Sequence, residues 1–177
     1  MVAKPQISPS LASGKFILRI TRRACSRFFQ ETIDRIIALA VFLPVLIGQA
    51  ANTGVQALAV CLRGMTLGDL RSGRQRMLLI KEMLLGTLNG ALTGVTGGIA
   101  MFIFATMVKS PLAVMLGFVV FLAITISCCF SGVAGAMVPL ALKKFGADPA
   151  TASSIVVTTF TDVGCLVVFL GLAALLI

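Results

Sequence analysis

Four long stretches of the sequence are almost free of charged residues, and this feature limits the possible folds more than any other. A helix needs about 20 apolar residues to cross the hydrocarbon core of a bilayer, and each stretch exceeds that length. We therefore predict four transmembrane helices, at residues 36–62, 83–108, 111–142 and 150–177. A single acid, Asp162, interrupts the last of them.

The composition agrees with a membrane protein. Of the 177 residues, 58% are hydrophobic and 12% are charged, whereas about 25% of the residues in a typical soluble domain are charged. Membrane-spanning strands would alternate polar and apolar residues over short segments, and the four stretches do not. The predicted fold class is all-α integral membrane.

The net charge of +9 comes from basic residues outside the predicted transmembrane helices, as is common in membrane proteins. The chain has no Tyr, Trp or His and lacks mixed aromatic and basic motifs, so we expect no nucleic-acid partner. Its five cysteines show no spacing typical of a zinc site or a disulfide framework. The absence of a nucleophile–base pair or a metal triad in the sequence argues against an enzyme.

The first 35 residues are the most basic part of the chain. We predict a flexible N-terminus over 1–14, a basic amphipathic helix over 15–35 and a transmembrane domain over 36–177. The helix carries too many basic side chains to enter hydrocarbon, so we expect it in the membrane interface near anionic lipid headgroups.

The basic loops at 63–82 and 143–148 favour the cytoplasm. With four spans the basic N-terminus would then lie on the opposite side, so its location stays open.

The first predicted span carries a polar face. Pro44, Gly48, Asn52 and Gln56 follow one another at intervals of four residues, which places them on one side of a helix. This face suits a partner helix or a water-filled path. Hydrogen bonding between packed helices is an equally good explanation of the two amides.

The middle spans look structural. Glycines recur every four residues in the second span, which indicates close helix packing; they are Gly86, Gly90, Gly94 and Gly98. The third span, with Ser131, Gly132, Gly135 and Pro139, is interpreted as scaffold. Glu82 is expected at the end of the second span, where water would solvate it.

The last span combines polar side chains with an acid. Ser154, Thr158, Thr161, Asp162 and Cys165 share one side of the helix. An Asp at the centre of a transmembrane helix costs about 2.5–3.5 kcal/mol, and no basic residue lies within the predicted spans. The acid is therefore either neutral and hydrogen-bonded to Asn52 or Gln56, or part of an ion site, and the second interpretation is favoured.

The ligand types indicate which ion such a site would take. Carboxylate, hydroxyl, amide and carbonyl oxygens suit hard cations such as Mg²⁺, Ca²⁺ and Mn²⁺. One carboxylate does not neutralise a dication, whereas a two-fold dimer would bring two copies of Asp162 to a shared axis. Because Mg²⁺ gives up its water reluctantly, we expect the pair to hold the ion through its hydration shell.

Four segments of the chain resemble the membrane domain of the MgtE family of magnesium channels and transporters, which includes the SLC41 carriers. The segments are LPVLIGQAANTGVQALAVCLRGMTLGDL (43–70), IKEMLLGTLNGALTG (80–94), GAMVPLALKKFGADPATAS (135–153) and VVTTFTDVGCLVVFLGLA (156–173). The most specific parts are N-x-G-x-Q from Asn52 to Gln56 and DPA…TTxTD from Asp148 to Asp162.

The resemblance implies a homodimer with a Mg²⁺ pore along its axis, in a membrane that is expected to be the bacterial inner membrane. It makes Asp162 the selectivity carboxylate and the Thr158 backbone carbonyl a second contact of the hydrated ion. Mn²⁺, Co²⁺ and Ca²⁺ are further candidates for transport. With the polar positions found above, the predicted pore wall comprises Pro44, Gly48, Asn52, Gln56, Ser154, Thr161 and Cys165.

The chain departs from the family pattern in two places. Ala50 and Ala51 stand where the family usually has two glycines. The basic helix at 15–35 takes the place of the family's first span, and residues 1–35 do not match its cytoplasmic sensor region. A carrier coupled to H⁺ or Na⁺, or a non-conducting regulatory subunit, therefore stays open as an alternative to a channel.

Overall fold

The computed structural model describes residues 39–70 and 74–176, which form four long α-helices. They are α1 (Leu39–Thr66), α2 (Arg74–Met107), α3 (Ala113–Lys144) and α4 (Pro149–Leu176). All four contain a segment that is long and apolar enough to cross a membrane. The predicted all-α fold is confirmed, with four transmembrane helices in the described residues. The protein is a multi-pass membrane protein.

The predictions for the N-terminal part lie outside the described residues. These are the flexible segment at 1–14, the amphipathic helix at 15–35 and its contact with anionic headgroups, and they stay predictions. The homodimer also stays a prediction.

The second helix begins earlier than the sequence predicts. The sequence predicts a start at residue 83, but α2 begins at Arg74 and runs for 34 residues. Its first turns are basic, and Arg74 lies 3.6 Å from Asp69, a residue of the preceding loop. A helix can continue beyond the hydrocarbon core when long basic side chains reach water, so the first charged residue does not mark its end.

Short turns make successive helices antiparallel neighbours. Between α2 and α3 the chain reverses within five residues, with Lys109 at a φ of 57°. Between α3 and α4, Gly146 adopts a φ of 76°. The amide of Ala147 reaches back to the Leu142 carbonyl at 3.0 Å, which is the type of hydrogen bond that closes a helix C-terminus.

The glycine stripe of α2 packs on α3, as the sequence predicts. A Cβ on Gly86 would lie 2.5 Å from the Cys128 carbonyl oxygen. At the other end of the stripe, a Cβ on Gly98 would lie 2.9 Å from the carbonyl oxygen of Gly117. The two backbones therefore approach more closely than any larger residue permits.

The third helix also contacts the other two. Gly135 of α3 packs against the carbonyl of Gly54 of α1, and the ring of Phe130 of α3 lies against Gly164 of α4. Twelve buried residues, among them Leu46, Cys128 and Phe169, form a core cluster to which all four helices contribute. These contacts agree with the interpretation of α3 as scaffold.

Candidate functional site

The polar face of α1 is uncovered in the single chain. Pro44, Gly48, Asn52 and Gln56 are all exposed, and a Cβ on Gly48 would meet no atom within 4 Å. The opposite face is buried and contains Leu46, Ala50, Ala57 and Cys61. Within the described part of the chain the amides of Asn52 and Gln56 make no side-chain hydrogen bond, so they do not join α1 to the other described helices.

The polar residues of α4 separate into two groups. Thr161 and Cys165 have no exposed surface and lie in the protomer interior. Thr158 and Asp162 are half-buried at the margin of this interior, and Ser154 is exposed. The sequence pattern correctly predicts neighbouring positions on a helix, but it does not distinguish these environments. The pore-wall role of Ser154, Thr161 and Cys165 stays a prediction, as does the ion contact of Thr158 and Asp162.

Asp162 lies midway along the 28 residues of α4. Its Oδ1 atom is buried and has no hydrogen-bond partner among the described residues. The alternative that this acid is hydrogen-bonded to Asn52 or Gln56 is therefore not realised in the described part of the protomer. A carboxylate oxygen without a partner in a membrane span needs a cation, a proton or water.

The hydroxyl groups of Thr158 and Thr161, next to Asp162, donate hydrogen bonds to backbone carbonyls of their own helix. The Thr158 hydroxyl donates to the Ser154 carbonyl at 2.8 Å, and the Thr161 hydroxyl donates to the Thr158 carbonyl at 3.0 Å. The Thr158 carbonyl, which the family resemblance assigns to the ion, thus already accepts a side-chain hydrogen bond. Oδ1 of Asp162, in contrast, has no hydrogen-bond partner among the described residues.

A close contact between α1 and α4 fixes the relative depth in the membrane of the polar face of α1 and the polar residues of α4. A Cβ on Gly54 would lie 2.9 Å from Cγ2 of Thr161 and 3.2 Å from Cγ1 of Val157. Leu46 and Ala50, which precede Gly54 in α1, share the core cluster with Cys165 and Phe169, which follow Thr161 in α4. The two helices therefore run antiparallel. Asn52 and Asp162 therefore lie at a similar depth in the membrane.

The described residues of one protomer contain no group of three or more His, Cys, Asp or Glu side chains that could hold a metal ion. Asp162 alone offers one carboxylate. A dication at this position would need further ligands, from water or from a second copy of the chain.

The sequence interpretation is wrong about Glu82. Instead of being solvated at a helix end, this residue is only 5% exposed, and its Oε1 atom has no hydrogen-bond partner among the described residues. The sequence contains a signal for this burial, because Glu82 lies four residues before Gly86 and continues the glycine stripe. The prediction that water solvates it rests on its position at the end of the predicted span, not on that spacing.

Comparisons with known proteins agree on one family. Residues 43–172 match the MgtE family model, which is described as a divalent cation transporter. Three bacterial proteins named magnesium transporter MgtE are similar over most of this chain. The protein of Enterococcus faecalis is 30% identical over 147 residues, which are 83% of this chain and 31% of the relative. That of Bacillus subtilis is 30% identical over 146 residues, 82% of this chain and 31% of the relative.

The third relative, from Thermus thermophilus, is 32% identical over 150 residues, which are 84% of this chain and 32% of the relative. The chain thus spans about a third of the length of the curated relatives that it matches. The similarity covers the four described helices. It agrees with the expectation of a transport protein rather than an enzyme.

Proposed function

Because the chain belongs to the MgtE family of divalent cation transporters, we propose that it carries Mg²⁺ across the membrane through a pore formed by two copies of the chain. The observation that carries the proposal is the unpartnered carboxylate oxygen of Asp162 in the middle of a membrane span. Acids in such positions line ion pathways more often than they serve packing. The names of the three relatives support Mg²⁺ as the ion.

The charge balance supports a symmetric pair of acids. Two copies of Asp162 at a two-fold axis together supply two negative charges and match a dication. Mg²⁺ usually keeps several waters in protein sites, so the pair acts on the hydrated ion. The carboxylates select the ion by its charge, while the water shell supplies the direct ligands that one protomer lacks.

The exposed face of α1 supports the same assembly. Asn52 lies at the depth of Asp162, and its amide would be costly to leave in hydrocarbon without a hydrogen-bond partner. A second copy or a water-filled path removes this cost. Pro44, Gly48 and Gln56 extend the face toward both ends of the helix and form the pore wall on the α1 side, whereas Ser154 and Thr158 belong to the α4 side.

The alanines that replace the family's glycines fit this arrangement. Ala50 has no exposed surface and packs in the protomer interior, so its methyl group does not narrow a pore on the opposite side of α1. Ala51 is half-buried beside it. The pore at this level is therefore bounded by Gly48 and Asn52.

Mg²⁺ uptake into proteoliposomes tests the proposal. We expect uptake by the wild-type protein and a loss of about tenfold or more in Asp162→Asn, since each 1.4 kcal/mol of lost cation stabilisation corresponds to a factor of ten. Asp69→Asn is the matched control, because Asp69 is an exposed loop acid. Equal Mg²⁺ uptake by the wild type and Asp162→Asn would show that the Asp162 carboxylate does not select the ion.

The same assay separates the alternatives. A channel conducts Mg²⁺ down its own gradient, whereas a coupled carrier needs an opposing gradient of H⁺ or Na⁺. No uptake under any gradient would indicate a non-conducting subunit. Competition by Mn²⁺, Co²⁺ and Ca²⁺ measures the preference among hard dications.

A further inference from the structure

A second acid lies inside the helix bundle, on a helix that the proposed pore does not use. Glu82 is the ninth residue of α2 and is 5% exposed. Its Oε1 atom is completely covered and has no hydrogen-bond partner among the described residues. An uncompensated charge in such a place would cost several kcal/mol, so the protonation state of this carboxyl affects the stability of the fold.

The helices around Glu82 leave little room for a large ligand. A Cβ on Gly132 of α3 would lie 2.6 Å from the Glu82 carbonyl oxygen and 3.6 Å from the Cα atom of Gly86. On the α1 side the thiol of Cys61 is near enough to interact electrostatically with Glu82, and it donates to the Ala136 carbonyl at 3.4 Å. The acid therefore sits where α1, α2 and α3 meet.

The charged and titratable groups around this position do not neutralise it. Lys81 on α2 and Lys143 on α3 are both exposed, and the described residues place no Lys or Arg within ion-pair distance of the carboxyl. Cys61 from α1 and Cys128 from α3 are buried thiols that carry no positive charge. The described residues also offer no cluster of metal ligands, so none of them supplies a cation to the carboxyl, and a bound proton would remove its charge.

We propose that Glu82 is a proton-binding site, and that its carboxyl stays uncharged so that α1, α2 and α3 can pack against one another. Buried carboxyls that lack a cation partner avoid the cost of desolvation by keeping their proton. Loss of the proton would place a negative charge on a side chain that is 5% exposed and whose Oε1 atom has no hydrogen-bond partner among the described residues. The three helices would then have to separate.

Infrared spectroscopy of the complete chain tests the site directly, because a protonated carboxyl has a C=O stretching band that a carboxylate lacks. The chain contains only six acids, so the band can be assigned by substitution. At neutral pH we expect a protonated-carboxyl band that Glu82→Gln removes. Asp69→Asn, at an exposed acid, leaves it unchanged. Asp162→Asn identifies any contribution from the pore acid. If Glu82→Gln leaves the spectrum unchanged, Glu82 is ionised and the proposal is wrong.

The pH dependence of unfolding provides a second, independent readout. As long as Glu82 is protonated in the folded protein, unfolding releases its proton to water at any pH above the ordinary titration range of a free Glu side chain. The unfolding constant of the wild type should therefore rise about tenfold more per pH unit than that of Glu82→Gln. Parallel pH profiles would overturn the proposal. Neither measurement needs a transported ion, so both can fail or succeed independently of Mg²⁺ uptake.

Discussion

The carbonyl oxygen of Gly54 on α1 lies directly against Gly135 on α3, at a distance that leaves no space for a side chain. The same glycine of α1 faces Thr161 on α4. One residue of the proposed pore helix thus contacts both of the other helices that hold it in place. The position of the exposed face of α1, with Asn52 two residues away, depends on this junction.

Replacement of Gly135 tests the junction. In Gly135→Ala the new methyl group would overlap with the Gly54 carbonyl oxygen, and a backbone atom cannot move aside as a side chain can. We expect a loss of about 1–3 kcal/mol in the free energy of unfolding, as for other overpacked cores. Thermal unfolding in detergent measures it. Gly171→Ala is the control, since a Cβ there meets nothing within 4 Å; a similar loss in both variants would contradict the proposed contact.

The contact between α1 and α4 can be tested by a double-mutant cycle. A methyl group in Gly54→Ala would lie closest to Cγ2 of Thr161, and Thr161→Ser removes that atom while keeping the hydroxyl that donates to Thr158. The cost of Gly54→Ala should therefore fall in the Thr161→Ser background, with a coupling energy of about 0.5–3 kcal/mol. Additive effects on the free energy of unfolding would show that the two residues do not touch.

Helical periodicity accounts for the parts of the fold that the sequence predicts correctly. The four spans follow from their apolar length, and the glycine stripe of α2 follows from its spacing. Both features are local, because a regular helix fixes which residues share a face. Pro44, Gly48, Asn52 and Gln56 lie on one exposed side of α1 for the same reason.

Periodicity does not show what covers a face, and the interpretations fail at this point. Thr161 and Asp162 are adjacent in the sequence, but α1 covers Thr161 and leaves Asp162 half-buried. The sequence places Glu82 in water because it lies at the end of a predicted span, whereas in the structure it is only 5% exposed. It lies on a part of α2 whose backbone packs against Gly132 of α3, fifty residues away in the chain. Burial of this kind follows from how the helices pack together.

The proposed dimer axis predicts which surface of α1 can be cross-linked. Cysteine in Gly48→Cys would project from an open position on the polar face, close to its symmetry mate. We expect a short bifunctional thiol reagent to join two chains. The native Cys61, Cys128 and Cys165 are buried, and replacement of Cys25 and Cys129 removes the remaining background.

Leu92→Cys is the control for this experiment, because Leu92 is an exposed residue of α2 outside the proposed axis. It should give far less covalent dimer at the same protein-to-lipid ratio. Equal yields for the two variants would mean that random collisions produce the dimer, and the pore would have to be placed elsewhere.

Replacement of Asn52 distinguishes between two roles of its amide: lining the pore, or joining helices through hydrogen bonds. Its side chain is exposed and makes no hydrogen bond within the described protomer, so Asn52→Ala should change the free energy of unfolding of the protomer by no more than about 0.5 kcal/mol. Mg²⁺ uptake should fall in the same variant, because the wall of the pore loses a polar group at the depth of Asp162. Thermal unfolding in monomer-forming detergent and uptake into proteoliposomes measure the two effects separately. If stability drops as much as in Gly135→Ala while the uptake of the folded fraction is unchanged, the amide has a structural role and α1 does not line the pore at this position.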